Sequence, residues 1–70
     1  AFLRGQFEQA RRRYRAAAES DGGDPDLWMN LARAQLRLGD EAGAKDSGAK
    51  ASALDARLAP AVESLLGQTP

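Results

Sequence analysis

The stretch LWMNLARAQLRLGDEAGAKDSGAKASALD, residues 27–55, reads as two helices folded about one glycine and one aspartate. In its first half Leu27, Trp28, Leu31, Ala34 and Leu38 recur mostly at steps of three and four, which gathers them on one stripe of a helix. Just upstream, Asp24 is placed to cap the helix, Pro25 suits its first turn, and Asp26 complements the positive helix end. Gly39 stops the helix, because glycine enters left-handed backbone without a Cβ penalty. Asp40 then caps a helix expected over residues 41–54, with Ala44, Ala51 and Leu54 inward. Gly43 and Gly48 lie within that helix, and each costs about 1 kcal/mol against alanine. Such a helix has to be held by its neighbours.

Working outward, residues 6–20 carry Phe7, Ala10, Tyr14, Ala17 and Ala18 on one helical stripe, and the segment DGGDP at residues 21–25 ends it. A last short helix is expected over residues 60–66, with Val62, Leu65 and Leu66 on one side and Gly67 as terminator. Val62 and Thr69 are the only β-branched residues, so helix is favoured over sheet throughout. The fold class is all-α. Lys and Arg balance Asp and Glu at ten each, which removes any whole-chain electrostatic case for nucleic acid or an anionic surface. Without Cys or His there is no disulfide, no thiolate ligand and no imidazole shuttle. No apolar run approaches the roughly 20 residues of a membrane span. The lack of Cys suits the cytoplasm and is also compatible with the periplasm, so the compartment stays open.

The chain also repeats itself. Gly5 and Gly39, Ala10 and Ala44, Ala17 and Ala51, and Asp21 and Asp55 are each 34 positions apart, as are Phe2 and Leu36, and Trp28 and Val62. In an alanine-rich chain the glycine and aspartate pairs carry most of this weight. A helix–turn–helix unit of this period resembles the tetratricopeptide repeat family. Trp28, Leu31 and Ala32 resemble its aromatic, leucine and small-residue positions, Gly39-Asp40 its turn, and Ala44 and Ala51 its close-packing alanines. The chain departs from the pattern at Gln35, where the family prefers Tyr, at Gly48, where it prefers an aromatic, and at Ala56, where it prefers Pro.

The resemblance implies antiparallel helix–turn–helix repeats stacked as a short right-handed solenoid. Residues 1–24 would form the second helix of a preceding repeat with its turn, 25–58 one complete repeat, and 59–70 a final capping helix. It also implies a non-catalytic scaffold that binds a protein or peptide in a concave groove. Met29, Asn30, Arg33, Leu36 and Arg37, beside or opposite the Trp28 stripe, are the residues expected to line that groove. Asn30 resembles an asparagine that helps hold a terminal carboxylate in chaperone-binding members. The basic residues those members add are replaced here by Pro60 and Ser64, so a full carboxylate clamp is not expected. Apolar side chains, an amide and two guanidiniums would suit an acidic partner with apolar anchors. The alternative is self-assembly, in which a second copy covers the first helix and packs on the small surface around Gly43 and Gly48.

Other constellations have plainer explanations. Arg11, Arg12, Arg13 and Arg15 form a basic run, but Glu8 and Glu19 stand at pairing distances on the same helix, so a solvated face is expected rather than nucleic-acid binding. Asp21, Asp24 and Asp26 lack the downstream bidentate carboxylate of a calcium loop, whose place is taken by Ala32, and they serve as turn and capping residues. Lys45, Asp46 and Ser47 are consecutive and fan around a helix, so they assemble no catalytic centre. No catalytic residue, metal site or cofactor is expected.

Overall fold

Three aspartates set where the chain enters its helical segments. The Oδ1 atom of Asp24 accepts from the Asp26 N–H at 3.0 Å, that of Asp40 from the Gly43 N–H at 2.9 Å, and that of Asp55 from the Arg57 N–H at 3.1 Å. Each bond satisfies a donor that the start of a helix leaves without a partner. The computed structural model describes residues 2–67, the side chain of Phe2 excepted. These residues form α1 (Phe2–Ser20), α2 (Pro25–Arg37), α3 (Glu41–Leu54), a 3-10 turn (Ala56–Leu58) and α4 (Ala59–Leu66).

The turn between α2 and α3 is closed as its sequence predicts. Gly39 has φ +81°, its N–H donates to the Leu36 carbonyl at 3.0 Å, and the Asp40 N–H donates to the Gln35 carbonyl at 2.9 Å. This pair of bonds is the Schellman arrangement, which satisfies the last carbonyls of a helix. The reversal brings the late residue Gln35 beside the early α3 residues Gly43 and Ser47, and the early residue Met29 beside Ala51. The two helices therefore run antiparallel. α1 and α2 are antiparallel as well, since Phe7 near the start of α1 meets Arg37 at the end of α2 and the chain reverses through the short loop at residues 21–24. α2 is central, touching α1, α3 and α4, whereas among the described residues α1 packs on α2 alone.

The 34-residue repeat is visible in one place and absent in another. The Asp21 N–H donates to the Ala17 carbonyl at 2.8 Å and the Asp55 N–H to the Ala51 carbonyl at 2.9 Å, so the equivalent helix ends close alike. Gly5, by contrast, lies inside α1 while Gly39 forms a turn. α1 starts four residues earlier than the sequence stripe indicates, running through Gly5. The Phe2 and Leu36 pairing rests on a side chain outside the described residues.

The core is built largely from alanine. Ala18, Ala32, Ala44 and Ala51 are wholly buried, with Leu31, Ala34, Met29 and Val62 nearly so. Such small side chains let helix axes approach closely. Gly48 takes this furthest, since a Cβ there would stand 2.7 Å from the Val62 Cγ1. The small surface around Gly48 is thus consumed by α4 within the chain and is not free for a second copy, contrary to one expectation from sequence.

One inward assignment is also corrected. Leu54, expected inside, is 45% exposed, because α3 ends at that residue and the chain turns away through Asp55. Trp28 is half-buried at the edge of the Met29, Ala51 and Val62 cluster, where the Lys50 ammonium lies 4.5 Å from its ring centroid.

Gln35 explains the departure from the family pattern at that position. It is 1% exposed and needs polar partners, since burying an unpaired amide is costly. One terminal amide atom lies 3.0 Å from the Gly43 carbonyl oxygen and 2.7 Å from the Ser47 hydroxyl, which identifies it as the nitrogen. The amide oxygen then accepts from an Arg15 guanidinium N–H at 3.3 Å. One side chain ties α1, α2 and α3 together. A tyrosine hydroxyl carries a single donor hydrogen and could not replace both N–H bonds of the amide.

Candidate groove

α2 leaves one face open to solvent between α1 and α4. Asn30, Arg33, Leu36 and Arg37 lie on this face, with Ala34 beneath them. Phe7, Ala10 and Tyr14 of α1 form one wall, and Ala61, Ser64 and Leu65 of α4 form the other. The open cleft has a volume of about 660 Å³, within the ordinary range for ligand-sized clefts. α2 supplies this face because its helical period places Asn30, Arg33 and Arg37 together, three and four residues apart.

Four of the five residues expected from sequence line the cleft, and Met29 does not. Met29 is 5% exposed and packs with Ala51 and Val62. The reason is geometric. A helix packed against three others buries a broader arc than the single stripe inferred from Trp28, Leu31 and Ala34, and Met29 falls in the sector that faces α3 and α4. Sequence reasoning also missed the walls. Phe7 and Tyr14 were read as inward residues of α1 and Leu65 as inward on α4, yet each is half-buried and faces the cleft. The signal for that was their position on helices flanking α2, which no single-helix periodicity expresses.

The electrostatics of the cleft are one-sided. Arg33 and Arg37 line it, and among the described residues no carboxylate does. An Arg33 guanidinium N–H donates to the Asn30 Oδ1 at 3.2 Å, leaving the Asn30 amide nitrogen to act as a donor. The Arg37 guanidinium sits 6.0 Å from the Phe7 ring centroid, at the outer limit of a cation–π contact. Both charges remain available to a ligand.

Several other charged groups are engaged outside the cleft. Arg11 donates to Glu8 at 2.9 Å, and that hydrogen bond holds the Glu8 carboxyl below its ordinary range. Asp55 is held low in the same way, by the Arg57 side chain and then by the Arg57 backbone N–H. Arg15 serves Gln35, and Ser47 is turned to the same amide, away from Lys45 and Asp46. Among the described residues no three His, Cys, Asp or Glu side chains converge as a metal site, and Asp24 is used as a cap.

A family model described as tetratricopeptide repeat matches residues 1–68. The chain belongs to the tetratricopeptide repeat family. No curated protein and no solved structure matches it. Tetratricopeptide repeats generally mediate protein–protein interaction and are a non-catalytic interaction fold. Among the described residues of this tetratricopeptide chain, no helix is long and apolar enough to cross a membrane. Ser64 lines the cleft, and Pro60, exposed, lies outside it.

Proposed function

We propose that this tetratricopeptide chain docks a segment of a partner protein in the cleft floored by α2, through apolar anchors and at least one acidic group. The observation that carries this is the juxtaposition of Arg33 and Arg37, with no lining carboxylate among the described residues, beside Phe7, Leu36 and Leu65. A charge-assisted bond to a guanidinium is stronger than a neutral one and adds orientation, while the apolar walls supply burial. Replacing Arg33→Glu together with Arg37→Glu should weaken capture of an acidic partner by at least about tenfold through like-charge repulsion. Both side chains are exposed, so helicity by circular dichroism should not change. Undiminished affinity in the double variant would remove the groove assignment.

Self-assembly is a second reading, supported by Leu3 at 62% and Leu54 at 45% exposure, large apolar side chains left in water among the described residues. Sedimentation velocity at micromolar concentration tests it. A second copy covering these leucines would give a concentration-dependent dimer, and a monodisperse monomer rules this reading out.

A further inference from the structure

We infer that the docking surface continues from the cleft over α1 onto a shelf around Arg13, where it takes a second acidic group of the partner's segment. The extension rests on the groove docking proposed above and adds a contact to it.

The two hollows share a border. The shelf, of about 210 Å³, lies on α1 and is lined by Gln6, Gln9, Ala10, Arg13 and Tyr14. Ala10 and Tyr14 also line the cleft, so the two surfaces meet on α1. At that border Ala10 presents only a methyl group, which keeps the pass between them low. Gln6 and Gln9 are exposed, and each amide offers donors and an acceptor to a chain crossing the shelf, whatever its conformation.

Charge unites shelf and cleft. Arg33 and Arg37 line the cleft, Arg13 lines the shelf, and among the described residues no carboxylate lines either. The whole chain has ten basic and ten acidic residues, so three arginines without a carboxylate are a local segregation. α1 has two carboxylates of its own and keeps both off this surface. At 3.6 residues per turn, Ala10, Tyr14 and Phe7 stand about 60°, 100° and 120° around α1 from Arg13 in one sense, and Glu19 and Glu8 about 120° and 140° in the other. Glu8 is also paired with Arg11, and Arg15 serves Gln35, whereas Arg13 is exposed to solvent on the shelf. From α2 outward the surface therefore offers two guanidiniums, an apolar stretch at Phe7 and Ala10, and a third guanidinium. The matching ligand is a polypeptide with two acidic groups separated by apolar residues. A nucleic-acid strand carries a charge at every phosphate and would set one against the apolar stretch.

The test uses the full chain as bait for a displayed library of random peptides of about 16 residues, which reach roughly 24 Å even when helical. Enriched peptides are re-measured against Arg13→Glu, against Arg33→Glu with Arg37→Glu, and against Arg12→Glu, a charge-matched control at an exposed position outside both hollows. The expected winners carry two acidic groups separated by apolar residues. Arg13→Glu should weaken them at least about fivefold and Arg12→Glu less than about twofold, with helicity unchanged in both. Neutralising the acidic group at one end of a winner should abolish its response to Arg13→Glu and leave its response to the paired cleft variant. Winners that respond to the paired variant, but no more to Arg13→Glu than to Arg12→Glu, would overturn the extension and leave groove docking intact. Displacement of the winners by a single-stranded oligonucleotide at equal concentration would overturn the polypeptide occupant, as would a dimer of the chain that Arg13→Glu dissolves. Winners indifferent to Arg33 and Arg37, or no enrichment at all, would sink groove docking and the extension with it.

Discussion

Leu31→Ala is expected to cost about 2–5 kcal/mol, the usual range for truncating a buried leucine. A chain of 70 residues has a total stability on the order of 3–10 kcal/mol, so the variant should be largely unfolded or close to it. The cost should fall toward the upper end because of what surrounds the site. Leu31 is the largest wholly buried apolar side chain, on the one helix that touches α1, α3 and α4. Much of the remaining core is alanine at positions 18, 32, 34, 44 and 51, and alanine has no side-chain reach with which to fill a cavity. The void therefore stays open, and the cavity penalty adds to the lost transfer free energy. Leu36→Ala is the internal control. Leu36 is half-buried at the open cleft, and its truncation should cost well under half as much. Urea denaturation followed by circular dichroism measures both. A Leu31→Ala loss below about 1 kcal/mol would mean that α2 is not packed from three sides as described.

That three-sided packing also explains what could and could not be read in the sequence. The turns were legible because they rest on local chemistry. Asp24 and Asp40 cap, Gly39 takes positive φ, and each does so within a few residues of where its type predicts. The small positions of α3 were legible too, since Ala44 and Ala51 had to approach a neighbour to hold so weak a helix. Met29 was not, because periodicity finds the strongest stripe on a helix and cannot count how many neighbours cover it. Gln35 looked like a defect against the family pattern. Its value depends on Ser47, Gly43 and Arg15, which lie 12, 8 and 20 positions away and have no sequence signature as a set. The cleft shares this character. Asn30, Arg33, Leu36 and Arg37 are one face of one helix and were legible, whereas Phe7, Tyr14 and Leu65 reach it only through the arrangement of α1 and α4.

Gly48→Phe should destabilise the chain by about 1–3 kcal/mol, the typical cost of overpacking, although the tetratricopeptide pattern favours an aromatic at that position. Helix propensity alone argues the other way, since removing an interior glycine gains up to about 1 kcal/mol. Packing outweighs it here. Position 48 is buried, and its missing Cβ is what admits Val62, whose Cγ1 stands 2.7 Å from where that atom would be. Val62 is β-branched and joined to a short helix without a side-chain cap, so relief comes by moving α4 rather than by a rotamer change. Moving α4 opens the cluster of Met29, Ala51 and Val62 and shifts the cleft wall that carries Ser64 and Leu65. The substitution should therefore lower both the urea midpoint and partner capture, although Gly48 does not touch the cleft. Val62→Ala added to Gly48→Phe makes room for the ring, and the pair should be less destabilised than the sum of the two single changes. If Gly48→Phe instead raises the midpoint, α4 does not dock through Val62 on Gly48, and the second wall of the cleft is not where its residues have been placed.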